Sequence, residues 1–123
     1  MTIILTILIY FVAIEHLGIM GIEIWGTPTK QAELFGMPLS FIKQPQAKAA
    51  LANMGIYNGM LGLTLGLTPL FLSGHNQLVM TALLLLFVIV VAIFGSLTVK
   101  KQIFWFQGMP ALVTFLVLLT QLV

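Results

Sequence analysis

Residues 2–25 form an apolar segment that is interrupted near its middle by two adjacent ionisable residues, Glu15 and His16. The segment is long enough to cross a lipid bilayer as a helix, which takes about 20 residues. An ionisable side chain at that depth is costly unless it faces a protein interior and has a use there. A second carboxylate, Glu23, follows about two helical turns later. We therefore expect a membrane protein with a polar interior.

The composition excludes most other classes of protein. Of the 123 residues, 60% are hydrophobic and 7% are charged, whereas a soluble domain carries about 25% charged residues. The net charge of +2 is too small for a nucleic-acid surface, so no nucleic-acid partner is expected. Cysteine is absent, which excludes disulfides and thiol chemistry.

The hydrophobic pattern predicts one all-α domain over residues 1–123, an integral membrane bundle of four transmembrane helices in contact with membrane lipids. The spans are expected near residues 2–25, 48–71, 78–99 and 103–122. The long first loop is expected to hold a short surface helix over residues 28–35. Thr27 suits its N-cap, Pro28 its first helical position and Gly36 its C-cap. The second loop is expected around residues 73–76.

The lysines predict how the bundle is oriented. All five lie in or beside the first and third loops, at Lys30, Lys43, Lys48, Lys100 and Lys101. With four spans, those two loops share one side of the membrane, and the positive-inside rule makes that side cytoplasmic. Both termini and His75 are therefore expected on the extracytoplasmic side of a multi-pass protein of the cell membrane.

The strongly polar residues of all four spans fall in the half nearer the lysines. Glu15 and His16 are the candidate catalytic residues. The candidate ligand-binding residues are Glu23, Asn53, Tyr57, Asn58 and Gln107. The opposite half is nearly all Leu, Val, Ile and Phe. This asymmetry predicts a pocket that opens to the cytoplasm or the inner leaflet, not an uninterrupted pore.

The second span carries two stripes at helical spacing. One contains Asn53, Tyr57, Met60, Thr64 and Thr68, and the opposite one contains Gly55, Gly59, Gly62 and Gly66. Glycines four residues apart let helix backbones approach closely, so these four are assigned to helix packing. Both stripes are expected to face protein, which would place this span centrally.

Glu15 is the residue of the predicted pocket that is expected to take part in a reaction. A carboxyl group there can exchange a proton with a ligand, with His16 and Asn58 orienting it. A purely structural role would instead have a neutral Glu15 hydrogen-bonded to Asn58 or Tyr57. Without cysteine or a second histidine on that side, no metal site is expected, and no other cofactor is implied.

Several segments carry a resemblance to a known family. They are residues 13–25 (AIEHLGIMGIEIW), Leu34-Phe35-Gly36, residues 53–59 (NMGIYNG), residues 92–98 (AIFGSLT), and Gln107 with Pro110-Ala111. In this order they resemble the bacterial four-helix membrane family called domain of unknown function 1304. Phe94 departs from the family pattern, which has Tyr before the glycine. The resemblance implies a four-span protein of the bacterial cell membrane and no established activity.

Three classes of function remain open at this point. The pocket can bind or act on a small amphipathic or lipid-like molecule by proton transfer, so whether the chain is an enzyme is open. Alternatively, the chain is a proton-coupled small-molecule transporter, because small multidrug transporters also have four spans and a carboxylate in the first. A third alternative is an accessory or assembly subunit whose polar stripe meets a partner helix. A homodimer is compatible with each of them.

Overall fold

The computed structural model describes residues 1–122, and this part of the chain is all-α with no β-strand. The elements are α1 (Ile3–Trp25), α2 (Pro28–Phe35), α3 (Leu39–Ile42), α4 (Pro45–Phe71), α5 (Gly74–Thr98), a π-helical turn (Phe104–Gly108) and α6 (Met109–Leu119). Helices α1 and α5 are long and apolar enough to cross a membrane. The segment from the π-helical turn through α6 is apolar but shorter. Helix α4 has the length, but its glycines, asparagines and threonines make it less apolar.

The predicted surface helix is present as α2, with the caps that the sequence indicates. The Thr27 hydroxyl accepts a hydrogen bond from the backbone N–H of Lys30 at 3.3 Å. Gly36 ends the helix in the left-handed conformation with φ of 63°, which favours glycine. The short helix α3 was not expected from the sequence. It follows Pro38, which is its N-cap.

Two of the long helices begin earlier than the hydrophobic pattern indicates. Helix α4 begins at Pro45, and a proline is well tolerated in the first turn because the N–H groups there have no helical partner. Helix α5 begins at Gly74, so His75 and Asn76, which were expected in the loop, lie in its first turn. Gly74 has φ of 59°, which lets the chain reverse sharply after α4.

The glycine stripe of α4 packs directly against α1. Gly55, Gly59 and Gly62 are buried there. A Cβ atom on Gly62 would lie 2.6 Å from the backbone oxygen of Ala13, which is too close for any side chain. At Gly66 the same atom would meet the Ala13 side chain at an ordinary 3.5 Å. The two backbones are therefore closest near Gly62 and separate toward the end of α4.

Hydrogen bonds join distant parts of the chain at both ends of the bundle. At one end, the Thr2 backbone N–H donates to Gln121 Oε1 at 3.0 Å, and Gln121 Nε2 donates to the Thr2 hydroxyl at 2.8 Å. At the other end, Lys100 Nζ donates to the backbone oxygen of Glu33 at 3.0 Å. This second bond holds α2 against the end of α5, and we call this end of the bundle the lysine end.

The tight apolar core lies in the half away from the lysine end. It includes Leu5, Ile9 and Val12 of α1, Leu65 of α4, Leu85 of α5, and Ala111 and Leu118 of α6. Each of these side chains is almost completely inaccessible to solvent. The half nearer the lysines is packed less completely: one of the cavities described below lies there, and the other extends past the middle of α4 and α5.

Replacing Gly62 with alanine is expected to destabilise the fold by about 1–3 kcal/mol, because the added methyl group must push α1 and α4 apart. Gly66→Ala is the matched control on the same stripe. It adds the same methyl group without a clash, so its higher helix propensity should leave stability unchanged or raise it by up to about 1 kcal/mol. Thermal unfolding of both variants in one detergent measures the difference. Equal midpoints would contradict the close approach at Gly62.

Candidate functional site

Two cavities are stacked along the helices in the looser part of the bundle. The first, the carboxyl cavity, has a volume of about 520 Å³ and is lined by Glu15 and Glu23 together with parts of α2, α5 and the π-helical turn. The second, the α4–α5 cavity, has a volume of about 540 Å³ and lies between those helices. Both volumes fall within the range of about 300–1,000 Å³ that is typical of small-molecule sites. Four residues line both cavities: Met54, Asn58, Val91 and Gln107.

Glu23 is buried, and one of its two carboxylate oxygens is hydrogen-bonded within the protein. Asn58 Nδ2 donates to Glu23 Oε2 at 2.8 Å, which links the end of α1 to the middle of α4. Gln31 Nε2 donates to the backbone oxygens of Ile22 at 2.9 Å and Glu23 at 3.1 Å. Gln31 therefore bonds to carbonyl groups in the last turn of α1, one of which, that of Ile22, also accepts from the Gly26 backbone N–H at 2.9 Å. Gln31 was not predicted from the sequence, although it lies inside the surface helix that the sequence does predict.

Glu15 is the exception among the polar groups of this site. Its Oε2 atom is buried and has no hydrogen-bond partner, and the side chain lines the carboxyl cavity. The structural role considered above required Asn58 or Tyr57 to bond to Glu15. Asn58 donates to Glu23 instead, and Tyr57 is 72% exposed. An unpartnered buried carboxyl oxygen is costly, so it is a group that a ligand can satisfy.

His16 lines the α4–α5 cavity, not the carboxyl cavity. Its imidazole is 2% exposed, and its Nδ1 lies 2.9 Å from the backbone oxygen of Val12. Because a carbonyl oxygen only accepts, Nδ1 carries the proton in that bond, and in the neutral imidazole Nε2 is then an acceptor. Neighbouring residues on a helix are about 100° apart, so Glu15 and His16 reach different cavities.

The other predicted ligand-binding residues are divided between the cavities. Tyr57 lines the α4–α5 cavity, while Asn58 and Gln107 line both. Asn53 is exposed and lines neither cavity. The expectation that both stripes of α4 face protein is therefore wrong for Asn53, Tyr57 and Met60, which are exposed. The glycine stripe is covered by α1.

The π-helical turn explains the position of Gln107. The backbone N–H of Met109 donates to the oxygen of Phe104, five residues back. Pro110 has no N–H to donate to residue 106, which favours a local departure from α-helical bonding. Gly108 is needed at the same place, because a Cβ atom there would lie 2.8 Å from the Phe104 ring. π-helical turns of this kind are frequent at functional sites.

Two further polar residues line the carboxyl cavity without having been predicted from the sequence. Lys100 and Gln102 come from the short connection after α5. The lysine had been read only as a signal for membrane orientation. Over residues 1–122, no three His, Cys, Asp or Glu side chains are grouped closely enough to hold a metal ion.

Comparison with known proteins places the chain in a family. The family described as "Protein of unknown function (DUF1304)" matches residues 10–119. The chain belongs to the DUF1304 family. It is also 38% identical over 109 residues to the "Uncharacterized protein YpaA" of Lactococcus lactis subsp. lactis strain IL1403, and this match covers 88% of the chain and 90% of that relative. No solved structure matches it. The resemblance drawn from the sequence motifs is thereby confirmed.

In this DUF1304 protein, Asn58→Leu is expected to destabilise the fold by about 1.5–3 kcal/mol, because it leaves the buried Glu23 carboxylate without its donor. Asn53→Leu is the control, since it makes the same change at an exposed site on the same helix and should shift stability by less than about 0.5 kcal/mol. The double variant Glu23→Leu/Asn58→Leu should recover most of the loss. Thermal unfolding measures these three variants and the single Glu23→Leu variant, and additive effects of Glu23→Leu and Asn58→Leu would contradict the pairing.

Proposed function

We propose that this chain is a four-span protein of the bacterial cell membrane whose cavities bind a small amphipathic or lipid-like molecule. In this proposal Glu15 exchanges a proton with the bound molecule. The observation that carries the proposal is the buried, unpartnered Oε2 of Glu15 in the wall of a cavity of about 520 Å³. A polar group left unsatisfied inside a largely apolar cavity is what a ligand with one polar end would complete.

The membrane assignment is supported by the amount of apolar surface that the fold leaves exposed. In both α1 and α5, only 28% of the most apolar stretch is buried. On α1 the exposed apolar residues include Ile3, Ile4, Ile7, Phe11 and Ile14. Soluble monomers rarely expose contiguous apolar surface on that scale. The exposed Trp25 and Trp105 fit a position in the interface at the lysine end.

In this proposal each polar residue has a role that follows from its hydrogen bonds. The Glu23 carboxylate accepts a hydrogen bond from the Asn58 amide. This bond also fixes the amide beside both cavities. Glu15 has no such partner and is the group available for proton transfer. His16 contributes the acceptor Nε2 to the adjoining cavity. Asn53 has no part in this proposal, since it lines neither cavity.

The proposed topology predicts opposite labelling for two cysteine variants, and the absence of native cysteine makes the background clean. Asn53→Cys lies on an exposed surface near the lysine end, so we expect it to react with a membrane-impermeant maleimide only from the cytoplasm. His75→Cys should react only from outside. Intact cells compared with inverted membrane vesicles provide the measurement. Labelling of both sites from one side would contradict the four-span topology.

Removing the Glu15 carboxyl group is expected to empty the site without unfolding the protein. We expect wild-type protein purified in a mild detergent to retain a defined small molecule that mass spectrometry detects and that Glu15→Gln lacks. Glu33→Gln is the matched control, because it removes an exposed carboxylate from α2 and should retain the molecule. Thermal unfolding of each variant checks that the fold survives.

Two results would count against the proposal. If Glu15→Gln unfolds where Glu33→Gln does not, Glu15 has a structural role. If wild-type protein retains no molecule while proton flux in liposomes depends on Glu15, the transport alternative explains the same carboxylate better.

A further inference from the structure

We infer that the two cavities together hold one single-chain amphiphile with a protonated amine as its head group. This inference rests on the proposed function and specifies its ligand. The ammonium group occupies the carboxyl cavity beside Glu15, and the alkyl chain occupies the α4–α5 cavity.

The cavities are arranged end to end along the helices. On α5, the α4–α5 cavity is lined from Leu83 to Val91 and the carboxyl cavity from Val91 to Val99. Each stretch covers about 12 Å of helix axis. On α4 the order is the same, with the carboxyl cavity nearer the lysine end. An alkyl chain in the α4–α5 cavity therefore runs parallel to the helices. The length of that cavity is comparable with the hydrocarbon depth of one leaflet, which is roughly 15 Å.

The charges in the carboxyl cavity favour a cationic head group. Glu15 and Glu23 both line it, and Glu23 already accepts from Asn58 while Glu15 Oε2 has no partner. Lys100, which lines the same cavity, donates its Nζ to the Glu33 backbone oxygen at 3.0 Å. An alkylammonium group supplies both the missing donor and a compensating charge. An alcohol supplies only the donor, and a carboxylate adds like-charge repulsion.

The α4–α5 cavity has the lining that an alkyl chain requires. Most of its wall is aliphatic or aromatic, and includes Met60, Leu83, Leu84, Phe87 and Val88. Leu83 and Phe87 are 58% and 56% exposed, so the groove is open along the outer surface of the bundle. In a membrane that surface faces lipid, which lets a chain enter sideways from the bilayer with its head toward the lysine end.

The test measures binding of radiolabelled dodecylamine to the protein in lipid nanodiscs, with empty nanodiscs as background. Dodecanol and dodecanoate are competitors with the same chain and different head groups, and butylamine carries the head group on a short chain. We expect dodecylamine to bind more tightly than dodecanol, and dodecanoate to compete least.

Glu15→Gln is expected to weaken dodecylamine binding by about tenfold to a hundredfold, as the loss of a hydrogen bond to a charged group predicts. It should change dodecanol binding much less, because the glutamine amide oxygen still accepts from the hydroxyl group, and retained dodecanol binding also shows that the groove is intact. Glu33→Gln removes the same charge from the surface and should have no effect. Thr64→Phe fills the α4–α5 cavity from an exposed position, so it should weaken dodecylamine but not butylamine.

Three outcomes would overturn the inference. Dodecanol or dodecanoate binding as tightly as dodecylamine would exclude an amine-selective site. Equal losses of dodecylamine binding in Glu15→Gln and Glu33→Gln would show that binding depends only on the surface charge of the protein. Equal losses of both amines in Thr64→Phe would exclude the α4–α5 cavity as the chain site. A non-amine compound that co-purifies with wild-type protein and is absent from Glu15→Gln would refute the amine head group while leaving the proposed function standing.

Discussion

The close approach of α1 and α4 is the constraint on which the rest of the structure depends. Because Gly62 leaves no room for a side chain against the Ala13 backbone, the two helices meet almost backbone to backbone. That approach brings the α1 carboxylate of Glu23 within 2.8 Å of the Asn58 amide on α4. Because α1 covers one face of α4, the opposite face of α4 lines the α4–α5 cavity.

The all-α fold and the family could be predicted from the sequence because they rest on local and ordered signals. The capped surface helix over 28–35 was found because Thr27, Pro28 and Gly36 act within one or two turns. The starts of α4 and α5 were misplaced, since hydrophobicity marks only the apolar part of a helix and the first, more polar turn extends beyond it. Within residues 1–122, only two helices are apolar enough to be identified as spans by composition alone.

The residues of the candidate site could be predicted better than their partners. Polar groups in an apolar sequence are conspicuous, so Glu15, His16 and Glu23 were identified at once. Which donor meets which acceptor depends on the rotation of two helices about their axes, and a rotation of about 100° exchanges one residue for its neighbour. For that reason Asn58 was assigned to Glu15 and is found on Glu23, and Asn53 was assigned to a pocket that it does not line.

The π-helical turn before α6 has a consequence for how sequence changes propagate through this bundle. A π-helical turn holds one residue more than the α-helical turn that it replaces, so it offsets the phase of every residue that follows. Relaxing residues 104–108 to α-helical bonding would rotate α6 by about 100°. Ala111 and Thr114, which are now buried, would then change face together. The direction of the Gln107 side chain and the buried face of α6 are therefore coupled, because both depend on the same π-helical turn. A change in that turn would change both.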